Sequence, residues 1–194
     1  MDNRVIIEDV SLAYLRECFD LDRSTGVLFW KIRPVGHFSS LRIARSTNKR
    51  VSGQPVGTQG IARKRFKVML AGKFYLVHRI VFAMANDVEL ADLPEIIDHI
   101  DGNEGNNAPI NLRPATPLQS AMNRSGKKDS QHRAKGVALD PSGVWRAAIV
   151  FNGKRYPLGT FATKEEAAAA YVGAAKVLHG EYFRDPRKAT QAAA

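Results

Sequence analysis

The chain has 194 residues, enough for one medium domain or two small ones, and its 29 Lys and Arg against 19 Asp and Glu give a formal net charge of +10. Such an imbalance points to an anionic partner, nucleic acid first, while the single cysteine, Cys18, excludes an internal disulfide framework or a Cys-rich zinc ribbon and fits a reducing compartment. No apolar run approaches the ~18 residues of a membrane helix, and the stretch after Met1-Asp2-Asn3-Arg4 is too short for a secretory signal, so a soluble, intracellular protein without membrane contact is expected.

In chain order, Ser11 caps a short helix that carries Leu12, Leu15 and Phe19 on one face. Residues Asp22 to Gly26 read as a turn, and Val27 to Trp30 as a strand whose Phe29 and Trp30 belong to the core. From Arg33 to Lys67 the chain is rich in Arg, Lys, Ser and Gly. Arg42, Arg45, Lys49, Arg50, Arg63, Lys64, Arg65 and Lys67 accumulate there with few acids between them. Two readings stay open for this stretch: a surface that tracks phosphates, or a solvated loop whose charges have no specific partner.

Phe66, Val68 and Leu70 alternate with Lys67 and Met69, as a half-buried strand should. Ala71-Gly72-Lys73 makes a hairpin, and Phe74 to Val77 returns from it. His78 to Ala85 then places apolar residues at helical spacing and ends near Asn86-Asp87. This helix is expected to pack under the segment that follows. His78 reads as a structural or phosphate-contacting residue rather than a metal ligand.

Ile96-Ile97 open a strand that runs into Asp98-His99-Ile100-Asp101-Gly102-Asn103, then through Asn106-Asn107 to Asn111-Leu112-Arg113. Adjacent Asp98 and His99 offer an oxygen ligand for a hard divalent cation and an imidazole that takes a proton near neutral pH. The Asn and Gly residues between suit a tight, irregular turn, because both tolerate left-handed backbone. Such a loop brings Asn111 back beside the Asp98-His99 pair. Thr116 caps, and Pro117 begins, a helix over about Leu118 to Arg124.

These residues resemble the HNH nuclease family, in its phage-type, homing-endonuclease-like branch. The likeness rests on the apolar strand ending in Asp-His, the Asp-Gly-Asn turn, the Asn-Leu-Arg return and the following helix, with His78-Arg79 upstream. Upstream again, Asp22-x-x-Thr25-Gly26-x-Leu28-x-Trp30-Lys31 is similar to the N-terminal portion of phage HNH proteins. The resemblance implies His99 as general base on a water, Asp98 as ligand of a divalent metal (Mg2+ or Mn2+), and Asn111 as the residue that braces the loop and orients His99. Arg113, in the return, is assigned a DNA contact. The family usually places a second protein ligand, an Asn, on the helix. That position here is Ser120, with Asn123 one helical turn later as a substitute.

Beyond it, Ser125 to Arg133 is polar, basic and without apolar period, and reads as a linker. A strand begins at Lys135-Gly136-Val137, Asp140 to Gly143 turns, and Trp145 to Phe151 places Trp145, Ala147, Ile149 and Phe151 on one face. Asn152-Gly153 signals a hairpin, and Lys154 to Phe161 closes a three-stranded antiparallel sheet. Thr163 and Glu166 form a capping box for a helix over Glu165 to Leu178, lined with Ala167, Ala168, Tyr171, Ala174, Ala175 and Leu178 and stopped by Gly180.

About Arg133 to Phe183 resembles the Apetala-two/ethylene-response-factor DNA-binding domain, through Lys-Gly-Val, Trp-x-Ala-x-Ile, Asn-Gly-Lys, Leu-Gly-x-Phe and the Glu-Glu-Ala-Ala-Ala-Ala-Tyr helix. The resemblance implies that the exposed sheet face meets double-stranded DNA in the major groove. Lys135, Arg155 and Thr160 occupy its contact positions, and Arg146 alternates onto the same face. Ala138, Asp140, Ala148, Val150 and Pro157 stand where plant members carry charged or aromatic readers, so a different target sequence is implied.

The expected fold class is α+β. Residues 1–74 form an N-terminal α/β region with a basic loop, 75–124 an HNH ββα-metal nuclease motif, and 125–133 a basic linker. Residues 134–185 form a three-stranded antiparallel sheet packed on one helix, and 186–194 a loose tail. The expected function is a metal-dependent endonuclease acting on double-stranded DNA. The alternative is a non-cleaving DNA-binding protein whose nuclease site has decayed at Ser120.

Overall fold

The computed structural model of the protein describes residues 10–57, 66–123 and 134–185. Arg63, Lys64 and Arg65 of the basic stretch, the expected helix end at Arg124, the 125–133 linker and the 186–194 tail lie outside the described residues. The chain divides into two compact units, Met1–Thr116 and Pro117–Ala194. Both combine helices with small antiparallel sheets, and the fold is α+β.

In the first unit, helix α1 (Leu12–Cys18) starts where the Ser11 hydroxyl accepts the Tyr14 N–H at 3.2 Å, and it buries Leu12, Leu15 and Cys18. Phe19 does not continue it, as the sequence suggested. Its backbone turns extended and it opens strand β1 (Phe19–Asp22). There it sits opposite Trp30 of strand β2 (Val27–Trp30), with ring centroids 4.7 Å apart. A cross-strand aromatic pair outweighs a helical propensity that is weak for Phe. Behind α1, His37 lies between the Cys18 sulfur at 3.6 Å and a Glu17 carboxylate oxygen at 2.7 Å, stacked on Tyr14. Burial pushes the Cys18 thiol up to about 11, so it is packing material rather than a nucleophile.

The basic stretch is not all loop. An 11-residue helix, α2 (Leu41–Val51), occupies its middle, with the Ser40 hydroxyl accepting the Ile43 N–H at 3.3 Å. Only Ala44 of this helix is buried, so no apolar period announces it. Its hold on the unit is polar. The Asn48 amide accepts from Arg33 N–H at 3.1 Å and donates to Arg33 C=O at 2.8 Å. After α2 the chain runs along the open edge of β2, where Gly53 N–H meets Trp30 C=O at 2.7 Å and Val56 N–H meets Leu28 C=O at 2.7 Å.

Strands β3 (Lys67–Leu70) and β4 (Lys73–Leu76) form a hairpin across Ala71 and Gly72, both at positive φ, as a two-residue primed turn demands. Helix α3 (Val77–Asn86) follows without a break and is the centre of the unit, burying Val77, Ile80, Val81, Ala83 and Met84. Each of the Val, Ile and Met side chains among them contributes about 1.5–3 kcal/mol on full burial. Against α3 lies the pair β5 (Ile96–His99) and β6 (Leu112–Ala115). Arg79 of α3 donates from one Nη1 to the carbonyls of Pro94 and Glu95, both at 2.9 Å, and so fixes where β5 begins.

The second unit opens with helix α4 (Pro117–Asn123). Its sheet is β7 (Val137–Leu139), β8 (Trp145–Phe151) and β9 (Lys154–Phe161) in that order, antiparallel throughout. Asn152 and Gly153 turn the second hairpin at φ 50° and 74°. Helix α5 (Lys164–His179) is started by the capping box of Thr163 and Glu166 and packs Ala167, Tyr171 and Ala175 beneath Ile149. Val172 and His179 are buried too, beyond the stripe read from the sequence. At Gly136 (φ +72°) an added Cβ would lie 2.1 Å from the Tyr171 ring and 2.5 Å from the Ala148 carbonyl oxygen. Only glycine fits that crossing.

Candidate active site

Period-two alternation along β5 buries Ile97 and His99 and leaves Ile96 and Asp98 half-buried. The register sets Asp98 opposite Arg113 and His99 opposite Leu112. One Arg113 guanidinium nitrogen lies 3.4 Å from an Asp98 carboxylate oxygen, with both side chains almost covered (11% and 12% exposed). Arg113, expected to face DNA, is thus the ion-pair neighbour of the candidate metal ligand.

The His99 ring lies 5.1 Å from that of His78 on α3 and accounts for part of the latter's burial. Its Nε2 is 3.0 Å from the Asn107 amide oxygen. An amide oxygen only accepts, so this contact favours the tautomer with the proton on Nε2. The side chain that makes this contact is Asn107, which the sequence presented only as one of several loop asparagines.

Asn111 serves the loop instead. Its amide oxygen accepts the Asp101 N–H at 3.0 Å, and its amide nitrogen donates to the Asp101 carboxylate at 3.0 Å and to the Asn106 carbonyl at 2.8 Å. Asp101 is the hub, also accepting from Asn103 N–H at 2.7 Å and from the Asn106 amide at 2.8 Å. Burial acts to raise its carboxyl, but these donors from Asn103, Asn106 and Asn111 prevail and hold it below the usual carboxylate range. The chain closes where Ile100 N–H reaches Asn111 C=O at 2.8 Å. These polar bonds shape the loop and return Asn111 to the end of β5.

The Asp22–Gly26 turn bears on this loop. Gly26 stands at φ +73°, and a Cβ on it would fall 2.0 Å from the Asn107 carbonyl oxygen. The hydroxyls of Ser24 and Thr25 bond the Asp22 carboxylate at 2.7 Å each and hold its pKa at about 2. The N-terminal motif and the Asp-His motif are thus one contact in space.

Ser120 and Asn123 lie on α4, in the second unit; Ser120 is half-buried and Asn123 buried. Among the described residues no three His, Cys, Asp or Glu side chains gather as a metal cluster. The charged neighbour of Asp98 is the Arg113 guanidinium at 3.4 Å, and a cation of the Mg2+ type would have to share or displace that pairing.

On the sheet of the second unit, the pairs Arg146 with Thr160 and Val150 with Arg155 place all three candidate DNA contacts of β8 and β9 on the face opposite α5. Arg146 forms an ion pair with Asp140 at 2.7 Å. Lys135 is turned elsewhere: its ammonium donates to the Ala121 and Met122 carbonyls of α4 at 2.8 and 2.9 Å, as a cation at a helix C-terminus does.

Over 118 residues the chain is 35% identical to a protein of Acanthamoeba polyphaga mimivirus named an uncharacterized HNH endonuclease, a match covering 60% of this chain and 59% of that protein. Over 89 residues it is 33% identical to Protein 3.8 of Escherichia phage T7, covering 45% of this chain and 73% of the phage protein. The chain thus spans less than two thirds of the mimivirus protein. No family model matches it, and no solved structure does. No helix among the described residues is long and apolar enough to cross a membrane.

Proposed function

Because the chain belongs to one family with Protein 3.8 of phage T7 and is related to a viral protein named an HNH endonuclease, we propose that it is a metal-dependent endonuclease that hydrolyses phosphodiester bonds in double-stranded DNA. The observation that carries the reading is the end of β5, where an almost covered carboxylate, Asp98, precedes an imidazole whose Nε2 meets the Asn107 amide oxygen.

In this mechanism His99 takes a proton from water at Nδ1 while the water oxygen attacks phosphorus in line, and the bond from phosphorus to the leaving oxygen breaks. Asn107 holds the ring by its Nε2–H, and Asn111 keeps the loop closed through Asp101. Asp98 would offer its carboxylate to a divalent cation of the Mg2+ type, which would supply positive charge for the leaving oxygen. The β8–β9 face, with Arg146, Arg155 and Thr160, supplies affinity for the duplex in the manner of an Apetala-two-like module, and the HNH segment is the cutting part.

A second reading has its own observation. Asp98 already faces a guanidinium at 3.4 Å, and Ser120 replaces the family's Asn, so a non-cleaving DNA-binding protein is the alternative. Supercoiled plasmid incubated with Mg2+, Mn2+ or EDTA, beside His99→Ala, separates the two. Metal-dependent relaxation by the parent and none by the variant is the expected result. Binding without relaxation in every metal selects the alternative.

A further inference from the structure

Between Asp22 and Asp87 the sequence has no Asp or Glu, and the fold gathers part of that unopposed charge on α2. Arg42, Arg45, Lys49 and Arg50 stand at i, i+3, i+7 and i+8 and are all exposed. At 3.6 residues per turn this spacing forms one stripe on the side away from buried Ala44. None of the four takes part in an ion pair among the described residues. Beside the stripe an open depression of about 360 Å³ is lined by Ser40, Arg42, Ile43, Ser46 and Thr47, so hydroxyl donors accompany the cations. Guanidinium, ammonium and hydroxyl groups along one line form the donor set that phosphate oxygens of a nucleic-acid strand accept.

We infer that α2 is a docking surface for the phosphate backbone of duplex DNA, with Arg42, Arg45, Lys49 and Arg50 as its contacts. The inference rests on the nuclease reading for its choice of DNA. From Arg42 to Arg50 the helix rises about 12 Å, the length over which one strand presents three or four phosphates at about 3.4 Å each. The helix is held in place by the two hydrogen bonds between Asn48 and Arg33, just after β2, and by the 53–56 segment that follows it along the edge of β2. Its stripe is therefore presented at one orientation and not on a wandering loop. It reads charge and spacing, not bases.

The test uses the full chain in EDTA with a fluorescein-labelled duplex, titrated by anisotropy from roughly 50 to 200 mM salt. Compared are the parent, a variant with Arg42, Arg45, Lys49 and Arg50 all changed to Ala, and R42K/R45K/R50K. The Ala variant should retain its helix content and thermal midpoint while the slope of log K against log salt becomes shallower by about 0.9 for each phosphate that α2 no longer neutralises. The Lys variant should keep the parent's slope, since counterion release counts charges. A parental slope in the Ala variant overturns the inference, and so does an equal loss in the Lys variant, which would mark a structural effect. Duplex RNA as competitor adds a third arm, and an Ala variant that loses only RNA binding also overturns it. The two readings fail separately. A parent that never relaxes plasmid but shows the α2-dependent slope refutes the nuclease alone, whereas a parent that cuts plasmid with a slope indifferent to α2 refutes the surface alone.

Discussion

Gly26 abuts the peptide of Asn107, leaving no room for a Cβ, which would lie 2.0 Å from its carbonyl oxygen. Because the Asn107 side chain holds His99, a turn in the N-terminal motif governs the candidate base from far upstream in the chain. Gly26→Ala meets backbone, not a yielding side chain, and does so at positive φ. It should destabilise the first unit by more than about 1 kcal/mol and displace the His99 ring resonances in a proton–nitrogen spectrum. An unchanged urea midpoint together with unmoved His99 signals would refute the contact.

Asn107 and Asn111 should separate cleanly on substitution. Asn107→Ala removes the acceptor at His99 Nε2 and frees the other tautomer, so plasmid relaxation should slow by about 10- to 100-fold, the scale for partners that orient a functional imidazole, with a stability loss of about 1 kcal/mol for the one buried N–H left unpaired. Asn111→Ala leaves three loop groups without their bonds and should lower the thermal midpoint first, at about 1–3 kcal/mol. Paired melts and relaxation rates decide it; equal effects on both quantities by both variants would contradict these roles.

Asp101 makes the loop acid-sensitive. Its carboxyl is held below the ordinary value of about 3.9, so the folded state binds the proton less tightly than the unfolded chain. The stabilisation is full above that ordinary value and is lost as pH falls through the lower folded one. Urea midpoints of the parent should therefore drop as pH goes below about 4, and Asp101→Asn should be less stable at neutral pH with a smaller acid-induced decline. A parallel pH profile in the two proteins would exclude Asp101 as the source.

Tyr171 reports on the packing of the second unit. Burial pushes its phenol up to about 12. Gly136→Ala drives a methyl into that ring and into the Ala148 carbonyl, so the phenol should titrate closer to 10 as the ring is expelled. The thermal midpoint should fall as well. An ultraviolet titration that still places Tyr171 near its parental value would show that the crossing tolerates a side chain.

Those elements are legible whose local chemistry and burial agree. Val27–Trp30 is a short apolar run after a turn, Ile96-Ile97 opens an apolar strand, Trp145–Phe151 alternates as a half-buried strand does, Asn152-Gly153 can adopt the primed turn, and Thr163 and Glu166 cap reciprocally. Helix α2 stays hidden because it is held by Asn48 and Arg33 and buries only Ala44, so its 3.6-residue period is carried by charge and not by an apolar stripe. Phe19 reads as helical because its partner Trp30 is eleven residues away, beyond any local rule. In the site, Asp98 and His99 announce themselves by adjacency. Which of four asparagines meets the imidazole depends on how the loop folds, and composition does not carry that information.

Lys135 has a consequence for how such chains can be recombined. The sequence invites a cut within 125–133, exchanging the sheet for another targeting module. Yet the ammonium of Lys135 closes the C-terminal carbonyls of α4, and α4 carries Ser120 and Asn123. A cassette swapped at that seam would leave the helix without its cation, so the inheritable block begins at Pro117, upstream of the apparent joint.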